Sequence, residues 1–303
     1  MAIKSVQAIV NGVTTNLALN TETGLYEAGL TAPSDSSYNN NSEHYFPVTV
    51  KAVDDAGNQT VINDTSTTLG AKLRLVVKET VPPSIVISSP TEGQFTSNSK
   101  PTVNFTVTDS GSGVDPSTIG VTIDNGNKIV AGITKTAITN GYQCSYSISE
   151  SLADGSHTIY VDADDYDGNS ATQRTVNFVV DTIPPELSVN APVNNFVTNA
   201  GTVTVSGTAK DLTSGLISVT VRLNGGTDNE VTVNSDGSFS TQITLQEGAN
   251  TITVTAQDAG GITSSVTRVV TLDTQAPVIT DVEISPNPVS TGDVLSIQVT
   301  VTD

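Results

Sequence analysis

The sequence predicts an all-β chain built as a tandem array of small sandwiches, and three observations predict it. Apolar and polar residues alternate over short runs, as in Val103-Asn104-Phe105-Thr106-Val107, Val203-Thr204-Val205, Ile252-Thr253-Val254 and Ile297-Gln298-Val299. Period two over so few residues marks half-buried antiparallel strands. Two-residue turn signals fall between such runs at Asn11-Gly12, Asn125-Gly126, Asn140-Gly141 and Asp236-Gly237, the pairs that favour tight hairpins. Finally, a phrase repeats. The linkers Glu79–Pro83, Asp181–Pro185 and Asp273–Pro277 each end in proline, and an aspartate closes an apolar strand 26 residues later, at Asp109, Asp211 and Asp303. One offset held across three copies is the signature of an array. Helical periodicity never exceeds two turns, so about seven strands per unit are expected, folded as a β-sandwich.

The units follow in order. Residues 1–80 open with strand-like Val6-Gln7-Ala8-Ile9-Val10, pass through the polar stretch Pro33–Glu43, and reach a second repeated phrase at Ala52, Asp54 and Gly57. This unit is expected to be an N-terminal sandwich with an anchoring role. Residues 81–183 carry the phrase again at Ala163, Asp165 and Gly168, and residues 184–274 at Ala256, Asp258 and Gly261. Between the last two units, Leu152, Gly155, Thr158, Ile159 and Val161 map onto Leu245, Gly248, Thr251, Ile252 and Val254 at one shift of 93. Residues 275–303 read as the first strands of a further, incomplete copy, so the sequence reads as the front part of something longer. Each full unit has the usual size of a compact domain.

Composition narrows the function. With 36% hydrophobic residues, 4% aromatics and no Trp, several small cores are affordable and one large core is not. A net charge of −19 with only 12 basic residues argues against nucleic acid, whose phosphates need clustered Lys and Arg, and against docking on anionic membranes. No apolar run approaches the 18 residues or so of a membrane-spanning helix. A lone cysteine, Cys144, excludes an internal disulfide framework. In the alternating run Tyr142, Cys144, Tyr146 it reads as a small core or surface residue, with a reactive or intermolecular thiol as the alternative.

The linker phrase, the loop Asp109-Ser110-Gly111-Ser112-Gly113-Val114-Asp115, and the Ala-x-Asp-x-x-Gly-Asn phrase of Ala163 to Asn169 together resemble bacterial immunoglobulin-like domains. The resemblance covers residues 81–274 and the following fragment. It departs at Ile262, which stands where the earlier copies have Asn58 and Asn169. Domains of this kind occur as strings in surface adhesins, in accessory parts of secreted enzymes and in bacteriophage tail proteins. Their motifs specify fold far better than function.

Two readings of the repeated residues stand side by side. In the structural one, the prolines stiffen the joints, Gly57, Gly168 and Gly261 adopt positive φ, and Asp54, Asp165 and Asp258 bond amides of their own turns. The other is calcium. The resemblance implies that the first-strand start, the B–C loop and the F–G loop share one pole. Glu79, Asp109 and Asp165 would then converge at one junction, and Asp181, Asp211 and Asp258 at the next. Hard carboxylate oxygens from several loops are what Ca²⁺ takes, and such charges repel without a cation. An ion at each junction would lock the beads into a rod. The run Asp162, Asp164, Asp165 and Asp167 is an alternative ligand set, although strand alternation sets its even and odd members apart.

No catalytic constellation emerges. Of the two histidines, His157 aligns with Asn250, an exposed strand position on this reading, and His44 sits at the edge of the polar loop. Metal spacings of His and Cys, phosphate-cradling glycine loops and nucleotide fingerprints are lacking. The protein is therefore expected to be a non-enzyme. The resemblance and the lack of an export signal before Val6 point to a bacteriophage virion protein of the tail or baseplate, made in the bacterial cytoplasm. Residues 1–80 would bind other virion or tail proteins, Pro33–Glu43 would contact neighbouring subunits, and the later domains would project as a spacer or a host-surface, glycan-binding arm. The alternatives are a cell-surface adhesin or stalk and the accessory region of a secreted carbohydrate-active enzyme.

Overall fold

The computed structural model describes residues 2–303. Among the described residues every regular element is a strand, apart from the short 3₁₀ turns Ser37–Asn39 and Gly70–Leu73. The chain divides into two compact units, residues 1–94 with 98–180 and residues 95–97 with 181–303. The division after residue 180 falls at the second Pro-ended linker.

In the first unit, six strands come before the first linker: β1 (Ile3–Val10), β2 (Val13–Asn20), β3 (Leu25–Glu27), β4 (Phe46–Asp54), β5 (Gln59–Ile62) and β6 (Arg74–Leu75). The β1–β2 hairpin turns at Asn11-Gly12, both at positive φ (47° and 77°), as the dipeptide predicts. These strands form one sheet in the order β3-β2-β1-β4-β5, with β6 on β4, which corrects the sandwich expected for residues 1–80. Few of its apolar side chains are gathered into a core. Among the described residues, the buried apolar side chains there are Ala8, Tyr45, Phe46 and Leu73, while Val13, Leu19 and Val61 are half exposed or more.

The same unit continues with β7 (Ser84–Ser89), β8 (Gln94–Thr96), β9 (Thr102–Thr108), β10 (Gly120–Ile123), β11 (Thr134–Ile138), β12 (Gly141–Ser147), β13 (Gly155–Asp162) and β14 (Arg174–Val180). The order β11-β12-β9-β7 makes one sheet of a sandwich, and β10-β13-β14 face it. Alternation does what the sequence predicts. Val103, Phe105 and Val107 of β9, Ile159 and Val161 of β13, and Val176, Phe178 and Val180 of β14 meet in one core. Burying each such side chain contributes about 1.5–3 kcal/mol.

The second unit repeats the plan with β15 (Glu186–Ala191), β16 (Phe196–Thr198), β17 (Thr202–Lys210), β18 (Leu216–Leu223), β19 (Asn229–Val231), β20 (Ser238–Thr244), β21 (Gly248–Asp258) and β22 (Thr263–Leu272). Its sheets are β15-β17-β20 and β16-β22-β21-β18-β19, closed over Val205, Phe239, Ile252, Val254 and Val270. The short β16 runs parallel to β22, pairing Phe196 with Val270 and Thr198 with Leu272. Beyond it, β23 (Val278–Ser285) and β24 (Ser296–Thr302) form an antiparallel pair, with Val282, Ile284, Val299 and Val301 exposed.

Candidate functional site

The site is built on the turn between β13 and β14 and its counterpart after β21. In each repeat the aspartate opens a tight turn closed by a glycine at positive φ: 88° at Gly57, 91° at Gly168 and 86° at Gly261, as expected. The aspartate Oδ1 accepts the amide four residues on, from Asn58, Asn169 or Ile262, each at 2.8 Å. The facing loop is held equally regularly. Gly113 N–H donates to Asp109 at 2.6 Å and Gly215 N–H to Asp211 at 2.8 Å. Gly113 O accepts from Tyr166 N–H and Gly215 O from Ala259 N–H, both at 3.0 Å. Ser112 Oγ accepts from Asp167 N–H and Ser214 Oγ from Gly260 N–H. Two loops distant in sequence are thereby clamped bond for bond in both sandwiches.

The linker carboxylates complete the arrangement. Glu79, Asp109 and Asp165 bring carboxylate oxygens within 4.8 Å of one another, and Asp181, Asp211 and Asp258 do the same. Both predicted triads are thus assembled. Asp109, Asp165, Asp181 and Asp258 are buried, and Glu79 and Asp211 partly so. No ion pair among the described residues neutralises any of the six. Two unit charges 4.8 Å apart repel by about 3 kcal/mol at an effective dielectric of about 20, so each triad calls for a proton, a donor or a cation. The alternative run is not gathered: of Asp162, Asp164, Asp165 and Asp167, only Asp165 belongs to a triad. Asp162 instead accepts from Gln173, and Asp167 from Glu79 N–H.

The first triad is closed from within. Asn169 Nδ2 donates to Asp165 Oδ2 at 2.7 Å and to Glu79 Oε1 at 3.1 Å. Burial, with the neighbouring charges of Asp165 and Asp109, holds the Glu79 carboxyl above its ordinary value. Burial works the same way on Asp165, but the Asn169 side chain and amide outweigh it and hold Asp165 below its ordinary value. Of these two neighbours, it is Glu79 whose carboxyl is pushed towards the neutral form. Gly111 makes room for it, since a Cβ there would stand 2.7 Å from Glu79 Cδ. Its counterpart in the next repeat is Thr213, and the linker acid there is the shorter Asp181.

The second triad has no such closure. Asp181 accepts from Ile183 N–H and Ser214 N–H, and Asp211 Oδ1 from the amides of Thr213, Ser214 and Gly215. Ile262 replaces the asparagine and has no side-chain donor. Asp258 is fully buried, and its Oδ2 has no hydrogen-bond partner.

Elsewhere the structure revises several expectations. His157 is not an ordinary exposed position: its ring nitrogens reach Asp124 Oδ2 and Ala153 O, each at 2.8 Å, and its counterpart Asn250 is fully buried. Burial disfavours the charged imidazole, yet these two acceptors outweigh it and raise its pKa above the ordinary value. Cys144 lies in the core, where burial pushes its thiol up to about 11, too high for a nucleophile. The stretch Pro33–Glu43 is partly consumed within its own unit. Ser36 and Ser37 are buried, Tyr38 stacks on Tyr166 with ring centroids 4.1 Å apart, and Asn39 Nδ2 donates to Gly111 O at 2.7 Å. His44, at the edge of this loop, stacks on the other side of the pair, 3.9 Å from the Tyr38 ring centroid. The bridging role of Asn169 was not foreseen, although the Asn-to-Ile change at 262 signalled that this position mattered.

Comparison with known proteins gives matches over both sandwiches. Residues 87–182 match the family described as bacterial Ig-like domain, and residues 185–274 match glucodextranase, domain B. These are tandem immunoglobulin-like domains. The chain is 29% identical over 193 residues to Bacillopeptidase F of Bacillus subtilis, covering 64% of this chain but spanning only 12% of that protein. Among solved structures, fibronectin(III)-like modules of Clostridium thermocellum CbhA align over 63% of this chain and 94% of theirs, at 18% identity and a TM-score of 0.39. Titin domains A168–A170 align over 76% of this chain and 74% of theirs, at 12% identity and a TM-score of 0.41.

Proposed function

We propose that the chain is a non-catalytic accessory array of a secreted enzyme or surface protein, in which the immunoglobulin-like domains act as spacers and weak binding modules. The observation that carries this reading is the pair of consecutive domain matches over residues 87–182 and 185–274. One of them is a domain described as part of a glucodextranase, and the curated relative is a peptidase in which the matched stretch is a small fraction of the whole. The virion reading finds no support among these matches, whereas the accessory reading, which stood as its alternative, does. Weak contacts repeated along an array gain strength through avidity.

The chain's chemistry agrees. The candidate base His157 is engaged on both ring nitrogens, and Cys144 is buried. No helix among the described residues is long and apolar enough to cross a membrane. An antibody raised against residues 184–274 tests the proposal in fractions of the source cells. The expected antigen is a polypeptide larger than 31.2 kDa, recovered from the medium or the cell surface. Recovery in purified phage particles, or in the cytosol alone, would overturn it.

A further inference from the structure

The two triads are built on one template and differ at one decisive atom. In the first two repeats, an asparagine amide satisfies the outer oxygen of the turn aspartate: Asn58 Nδ2 donates to Asp54 Oδ2 at 2.9 Å, and Asn169 Nδ2 to Asp165 Oδ2 at 2.7 Å. In the first triad the same Nδ2 also reaches Glu79 Oε1, so this oxygen faces the inside of the cluster. In the third repeat the donor is gone. Ile262 supplies only its backbone amide, to Oδ1, and Asp258 Oδ2 is left buried without a partner. A buried oxygen of a carboxylate without a donor is costly, and here it stands in a cluster with two more carboxylates.

We propose that Asp181, Asp211 and Asp258 bind one Ca²⁺ ion, and that Asn169 makes the first triad a weaker site. The donor set is all oxygen, as a hard cation requires. Ca²⁺ accepts irregular sets of carboxylates drawn from several loops, whereas Mg²⁺ demands a near-ideal octahedron. Backbone amides of Ile183, Thr213, Ser214 and Gly215 already orient the Asp181 and Asp211 carboxylates, as supporting hydrogen bonds do around metal ligands. Gly260 lies alongside: a Cβ there would approach both Asp181 O and Asp258 Oδ1 at 3.3 Å. A bare glycine keeps that space open. The inference concerns folding and assembly chemistry only and does not depend on the accessory reading.

Isothermal titration of the full chain with CaCl₂ at neutral pH, after chelator treatment, tests the proposal. One tight site per chain is expected, with Mg²⁺ at least tenfold weaker. Asp258→Asn removes one charge and is expected to abolish that site. Ile262→Asn restores the amide found in the other two repeats and is expected to weaken it at least tenfold, while circular dichroism shows an unchanged all-β spectrum. Should Asp258→Asn not fold, Ile262→Asn carries the test alone. Asn169→Ile is expected to open a second site. Absence of Ca²⁺ binding by the unaltered chain, binding indifferent to Ile262→Asn, or binding lost only on Asp165→Asn would each overturn the assignment.

Discussion

The N-terminal sheet and the sandwich that follows it occupy one compact unit, yet they are stabilised differently. The sandwich closes two sheets over a cluster that includes Phe105 and Phe178, each 1% exposed. The sheet of β1–β6 buries four apolar side chains and has no opposing layer. It leans on its neighbour instead, through Tyr38 on Tyr166, Asn39 on Gly111 and Lys78 Nζ on Asp167 O. Sharing a turn phrase does not make a segment self-sufficient: the phrase shapes one corner, and independence comes from enough apolar surface on facing strands.

The sharpest way to break this contrast is to cut the core. Phe105→Ala is expected to destabilise the chain by about 3–5 kcal/mol in urea unfolding, while Val61→Ala, on the open side of β5, costs under about 0.5 kcal/mol. Comparable losses at the two positions would mean that the sheet has a hidden covering layer. Next comes the contact between the two regions. Tyr38→Ala removes the stacks on Tyr166 and His44, each worth about 0.5–1.5 kcal/mol. Tryptic cleavage within residues 1–78 should accelerate while the sandwich stays protected; equal protection would show that the stack does not hold the sheet in place. The smallest effect is a pH dependence confined to the sandwich. The His157 pKa is raised, so its stabilising contribution is complete below its ordinary 6.5 and is lost as pH rises through the higher folded value. Urea midpoints between about pH 5 and about pH 8 should fall more steeply for the unaltered chain than for His157→Gln, and parallel slopes would remove the effect.

Much of this was legible beforehand. Strand alternation placed Val103, Phe105 and Val107 inward, and the 26-residue offset picked out Asp109 and Asp211 before any fold was known. Adding the linker acids and the turn aspartates yielded both triads, because the resemblance to immunoglobulin-like domains implied that these loops share one pole. What escaped depended on the third dimension. The missing second layer of β1–β6 is a matter of how many apolar residues face one way at once. The role of Asn169 depends on where one amide points, and composition is blind to that. His157 looked ordinary because its partners, Asp124 and Ala153, lie on a turn and a loop outside the repeated phrases.

The parallel pairing of β16 with β22 has a mechanical consequence. These strands lie near the two ends of the second sandwich, and Asp273 N–H adds a bond to Thr198 O at 2.9 Å beside their three paired positions. Tension applied along the chain drags the two strands in opposite directions along their shared axis. Their bonds must then rupture together in shear, whereas an antiparallel hairpin pulled at its open end unzips one bond at a time. A domain wired this way resists stretching out of proportion to its thermodynamic stability.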